Sequence, residues 1–224
     1  MAFQFFNPAS RLSVSHGNLP HWGQEGATYF ITWRMADSVP STIWKRWCVE
    51  RDDWLVRHNI DIQSSTWRTQ IEDLPETSRR DFKRFTRSIE KELDAGHGSC
   101  LLRQQEMAKI VAEALHFFDT SRYILGDFVI MPNHVHVLVG GMGRDTMLKQ
   151  VESWKRWTAA QINKSLGRTG RFWQVESFDH LVRSELSFQK LRQYIAANPG
   201  SARLKPGEYL LWQREPASPN EAQK

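Results

Sequence analysis

The segment RYILGDFVIM-PN-HVHVLVG, residues 122–140, constrains the fold more than any other. Two runs rich in Val, Ile, Leu and Phe flank Pro132-Asn133, a pair with strong turn character, and this arrangement predicts a β-hairpin. The second run alternates. Side chains on a strand point to opposite faces in turn, so Val135, Val137 and Val139 share one face and His134 and His136 the other. An apolar sheet face needs a second layer to cover it. QEMAKIVAEALHFF (105–118) offers one, because Met107, Ile110, Val111, Ala114, Leu115 and Phe118 recur at helical spacing.

The rest of the chain fits around that hairpin. Residues 1–26 read as irregular, and ATYFITWR (27–34) reads as a first strand. Polar helical stretches follow at about 41–58 and 77–95, broken by the glycines of 94–100. Residues 146–165 read as a helix with Leu148, Val151 and Ile162 inward. RFWQVESFDHLVR (171–183) supplies a last strand. Ser184 caps a helix over about 185–198, which Pro199 is expected to end. The order is βαββαβ. It predicts an α+β fold, a ferredoxin-like sandwich whose antiparallel sheet carries helices on one face, with a helical insertion at about 41–100. The expected organisation is one domain over 1–205 and a C-terminal tail over 206–224, with PASPNEAQK disordered.

Composition narrows the partners. Hydrophobic residues make up 40% of the 224, enough for a real core. No stretch approaches the ~20 apolar residues of a membrane span. The start, MAFQFFNPASRLS, lacks the form of a signal peptide. Cys48 and Cys100 lie far apart and read as free thiols, so a cytoplasmic location is expected. The net charge of +5 and pI near 9.4 admit nucleic acid as a partner. Several of the ten tryptophans adjoin cations, as in Trp33-Arg34, Trp44-Lys45-Arg46-Trp47, Trp67-Arg68 and Trp154-Lys155-Arg156-Trp157. Such pairs suit base stacking with phosphate contact, and they equally suit helix edges with a buried ring and a solvated charge.

Two constellations carry chemistry. His134 and His136 stand about 7 Å apart along one strand face and can converge on a divalent ion; the alternative is polar surface. That face is expected to be open to solvent or substrate. In LRQYIAANP (191–199), Tyr194 and Asn198 are four residues apart and project from nearly the same helix face. The alternative there is a core ring and a helix-capping amide. No HExxH and no GxxxxGK[ST] is present, which argues against a zincin hydrolase and against a nucleotide-driven reaction.

MPNHVHVLVGG, followed by a helix bearing QYIAANP, resembles the REP-associated tyrosine transposases, members of the tyrosine HUH class related to the transposases of the smallest bacterial insertion sequences. YFITWRMADSVP, GHGSCLLRQQEMAKIV and GRTGRFWQVESFDHLVR share the likeness, which spans roughly 27–205. The resemblance implies single-stranded DNA cleavage and strand transfer beside a hairpin formed by a repetitive extragenic palindrome. It implies Tyr194 as nucleophile and His134 and His136 as metal ligands. Asn198 would complete the site, where some relatives have glutamine, around Mg²⁺ or Mn²⁺. The state would be monomer or homodimer. His180 is a further candidate near the site, and Arg34, Lys155, Arg156 and Arg192 are candidate DNA contacts. The 41–100 insertion has no counterpart in the minimal enzymes. Two other readings stand beside this one: a hairpin-binding protein of the same ancestry that does not cut, and a metal-dependent phosphoesterase.

Overall fold

The computed structural model describes residues 3–10, 13–16, 20–39, 41–62, 64, 67–94 and 96–215. The chain divides into two compact units: Asp37–Cys100, and the segments on either side of it, 1–36 and 101–224. The first unit is helical, with α1 (Ser41–Arg57), α2 (Trp67–Glu72) and α3 (Glu76–Asp94). Trp54 stacks on His58 one turn later and meets Phe82 of α3 with ring centroids 4.8 Å apart. This unit holds 11 Lys and Arg against 12 Asp and Glu, while the remainder holds 19 against 13. The whole basic excess therefore belongs to the other unit.

That unit is built on a sheet. β1 (Ser13–His16) and β2 (Pro20–Gly23) pair with each other, where the sequence had suggested irregular chain. The main sheet contains β3 (Tyr29–Arg34), β4 (Ile124–Met131), β5 (His134–Gly140), β6 (Phe178–Leu181) and β7 (Leu210–Trp212). Its order is β6-β3-β5-β4-β7 and every pairing is antiparallel. The first four strands follow the expected ferredoxin-like arrangement. β7 is an addition: it lies in the stretch expected to be a tail, and it covers the edge of β4. The expected disordered stretch, 216–224, lies outside the described residues.

Alternation sorts the strands into two layers. Ile31, Trp33, Val135, Val137 and Val139 pack with Val111 and Leu115 of α4 (Gln105–His116) and with Val151, Trp154 and Ile162 of α5 (Arg144–Ser165). These two crossover helices share one face, as expected. α6 (Glu185–Ser201) does not join them. Its Phe188 and Ile195 pack with Phe30, Val129, Met131 and Leu138, on the opposite face. The reason is topological: α6 follows the last paired strand of the βαββαβ core, and the first face is already filled. Ser184 caps α6 by accepting from Ser187 N at 3.2 Å, as its sequence suggested. Pro199 does not end the helix. Only two helical residues follow it, so a single lost hydrogen bond is tolerated, and Ala202 N still reaches Asn198 O at 3.0 Å.

A bulge in β4 adjusts the register. Leu125 opposes Val139, but Phe128 opposes Val137, so Gly126 and Asp127 face one residue, Leu138. The extra residue lets Leu125 and Phe128 both point into the α4–α5 layer. Gly126 is required there, since a Cβ would stand 2.8 Å from that of Leu138. Asp127, the other bulge residue, is buried and serves as a clasp. It accepts from Arg192 Nε of α6 at 2.9 Å, from Gln213 Nε2 at 3.2 Å and from Arg214 N, just past β7, at 3.0 Å. Breaking a buried pair leaves its partner charge uncompensated. Asp127→Ala is therefore expected to destabilise the protein by about 3 kcal/mol. It should also speed amide exchange in β7 before the central strands. Urea unfolding and hydrogen exchange measure both, and a variant within the error of wild type would show that the clasp contributes nothing.

Candidate active site

The histidines of β5 face α6. The expectation of an open histidine face is not met: His134 is 0% and His136 2% exposed. Each ring is held by its Nδ1. His134 Nδ1 donates to Asn133 Oδ1 at 2.7 Å, and His136 Nδ1 lies 2.7 Å from the Thr32 hydroxyl across the β3–β5 pairing. The two Nε2 atoms consequently point at each other, 3.1 Å apart. With the His134 proton committed at Nδ1, the bond between the Nε2 atoms must be donated by His136. Its Nδ1 then accepts from Thr32.

α6 brings the tyrosine to the same place. The Tyr194 hydroxyl is 3.5 Å from His136 Nε2. Phe30 of β3 stacks on His136 and meets Tyr194 edge-on, with centroids 5.4 and 5.9 Å away. Tyr194 itself remains 41% exposed, so it is not a core ring. The other tyrosines sit elsewhere. Tyr123 is buried in the α4–α5 layer, donates to Leu115 O at 2.7 Å, and is pushed up to about 12 chiefly by burial. Tyr29 is buried against Gln24, and Tyr209 packs beside the second core.

Asn198 follows Tyr194 by one turn of α6 and is 5% exposed. Its Oδ1 is buried without a hydrogen-bond partner, so that oxygen serves no cap. A buried acceptor without a partner loses its hydration with no return, and an amide oxygen in that state can serve as a ligand atom for a hard cation. The spacing of the two Nε2 atoms is one that a divalent cation could bridge. Cis ligands on bonds of about 2.1 Å stand about 3.0 Å apart, close to the observed separation of the Nε2 pair. Both imidazoles are neutral, the form that binds metal. Desolvation by burial holds His134 well below its ordinary range, aided by the charges of His136 and Arg34. Burial and then Arg34 push His136 down to about 3. Among the described residues there is no cluster of three or more His, Cys, Asp or Glu around a common point, so a third protein ligand would be of another kind, such as an amide oxygen.

No protein-family model matches the chain, and no curated protein matches it. Among solved structures, the chain is similar to one described as the REP-associated tyrosine transposase bound to a REP hairpin. The likeness covers 80% of this chain and 70% of that one, at 14% sequence identity and a TM-score of 0.42.

The remaining candidates divide. Arg34 stands opposite His134 in the β3–β5 register, on the histidine face. His180 reaches the surface on β6, opposite Phe30, and partial desolvation of its ring, then Arg183, hold it below its usual range. A whole strand separates it from the histidine pair, so it is not a ligand. Arg192 is engaged in the Asp127 clasp and also donates to Arg214 O. Lys155 is buried, with Nζ donating to Glu152 Oε1 at 2.8 Å and Val175 O at 2.6 Å. Arg156 is exposed, but α5 lies across the sheet from the histidines. Of the tryptophans beside cations, Trp33, Trp47 and Trp154 are buried, and Trp157 is exposed. Thr32, Asn133 and Phe30 are site residues that sequence reasoning missed. Asn133 had been assigned to the turn alone, and only the register reveals the other two.

The burial of the histidines sets a measurable pH dependence. In the metal-free folded protein both stay neutral, while in the unfolded chain they protonate near 6.5. Below that pH the unfolded state binds more protons. Stability should therefore fall as pH drops from about 6.5 toward 5, by up to about 1.4 kcal/mol per pH unit for each histidine. Urea unfolding across this range measures the slope, and His136→Gln should make it shallower. A flat profile for wild type would show that the rings take up protons without unfolding.

Proposed function

We propose that this protein cuts and rejoins single-stranded DNA beside a REP-type hairpin through Tyr194, with Mg²⁺ or Mn²⁺ held by His134, His136 and Asn198. The observation that carries the reading is the convergence of two neutral Nε2 atoms 3.1 Å apart with the Tyr194 hydroxyl 3.5 Å from one of them. The orphan Asn198 oxygen on the same helix supports it. The hairpin substrate rests on the resemblance of MPNHVHVLVGG and QYIAANP to the REP-associated transposases, and the basic excess of the sheet unit agrees with it.

A divalent cation at this site would polarise the scissile phosphate and offset its charge. Asn133 and Thr32 hold the two rings so that both Nε2 lone pairs can face that cation, the His136 proton then residing on Nδ1 and donating to Thr32. Tyr194 supplies the nucleophile. Its oxygen forms a bond to phosphorus, the bond to the DNA 3′-oxygen breaks, and the phenolic proton leaves to water at the exposed side of the ring. The leaving 3′-oxygen takes a proton from water, so the product is a 5′-phosphotyrosine and a free 3′-hydroxyl. Attack by a 3′-hydroxyl reverses the step or joins a new strand. The phosphodiester bond energy is retained throughout, so no nucleotide hydrolysis is needed.

Incubation with hairpin-bearing single strands and divalent cation, followed by a denaturing gel, tests the proposal. Wild type should form a covalent protein–DNA adduct, and Tyr194→Phe should form none while still shifting the DNA in a native gel. Binding without any adduct by wild type would instead support a hairpin-binding protein that does not cut.

The ligands are tested by metal titration. His136→Ala should abolish cleavage at every practical Mg²⁺ or Mn²⁺ concentration, because imidazole is the stronger donor. Asn198→Ala should raise the metal midpoint and recover partly in excess Mn²⁺. Full activity of His136→Ala without added metal would remove the metal from the reaction.

A further inference from the structure

β6 forms one edge of the main sheet and alternates like β5. Asp179 turns toward the α5 side, where Arg144 Nε donates to it at 3.0 Å. Phe178 and His180 turn the other way. The register sets Phe178 opposite Thr32, which is itself opposite His136, and sets His180 opposite Phe30. Both side chains therefore stand on the face that carries the histidine pair and Tyr194. Two strand spacings put Phe178 about 10 Å from His136.

Among the described residues, both rings reach the surface. Phe178 is 46% exposed, and His180 is exposed as well. α6 packs over β4 and β5, β2 lies beside β6, and the Val182 carbonyl just past β6 accepts from Phe6 N at 3.0 Å; Phe178 and His180 stay exposed beside these contacts. A large aromatic ring left about half exposed on a strand edge forgoes much of the gain from burial, whereas a flat π-face beside a phosphate site suits a nucleobase. Stacking on aromatic side chains is the usual way proteins hold unpaired bases. Arg34 on the same face and the basic excess of this unit suit the attached phosphates.

We propose that Phe178, flanked by His180, is the stacking surface for the unpaired nucleobase next to the phosphate held at His134, His136 and Tyr194. The inference rests on the reading of that site as a single-strand DNA site. It assigns β6 a role in gripping the strand and none in the chemistry.

The test compares binding of fluorescein-labelled oligothymidine, and of an abasic strand of equal length, by fluorescence anisotropy with Mn²⁺ present. The parent is Tyr194→Phe, so that nothing is cut, and Phe178→Ala, Phe178→Leu and Phe178→Trp are placed in it. Thermal unfolding confirms that each is folded. Phe178→Ala should weaken oligothymidine binding about tenfold. Trp should retain affinity, and Leu, which is apolar but has no π-face, should not. On the abasic strand the parent and the Ala variant should bind alike. Equal affinities on oligothymidine, or an Ala loss that persists on the abasic strand, would overturn the stacking role. A parent that binds no single strand would overturn the reading of the site itself, and that result appears before any Phe178 variant is compared.

Discussion

The two-residue alternation of β5 is the constraint on which the sheet unit depends. One strand supplies three valines to the α4–α5 core and both imidazoles to the opposite face. A slip of one residue would exchange them, sending polar rings into an apolar layer. Core and site therefore cannot vary independently. The two-residue turn at Pro132-Asn133 pins one end of the hairpin, and the bulge at Gly126-Asp127 absorbs the misfit at the other. The neighbouring strand β3 obeys the same rule, with Ile31 and Trp33 inward and Thr32 and Arg34 beside the histidines.

Covering the histidine face with α6 changes what the site can be. Buried imidazoles stay neutral, and their Nδ1 atoms are occupied by neighbours, so only the Nε2 positions remain for a ligand. The helix that buries them also carries the phenol, which keeps its exposure. Buried imidazoles and an exposed phenol thus come from one packing event. The low local dielectric also strengthens any charge placed between the rings.

Much of this was readable in the residues. The hairpin, the shared face of His134 and His136, and the one-turn spacing of Tyr194 and Asn198 are local patterns, and local patterns survive folding. The cross-strand facts were not readable. Thr32 and Phe178 acquire their relation to His136 only through the pairing of β3 with β5 and β6, which no spacing encodes. Lys155 and Arg192 read as candidate DNA contacts because their partners, Val175 O and Asp127, are distant in sequence. Trp33 and Trp154 proved to be core rings that touch each other, with centroids 6.0 Å apart. β7 is three residues long, too short to announce itself by period.

The Asp127 clasp ties the tyrosine helix to the strand that follows it. Arg192 sits half a turn from Tyr194, and the same carboxylate holds Arg214. A ribosome releases α6 before it releases β7. Until the last strand arrives, the carboxylate lacks two of its three partners and the edge of β4 stays bare. The histidine strand can be folded and in register while the helix that completes its site still lacks its final tether. Order of synthesis therefore separates the building of the sheet from the arming of the site.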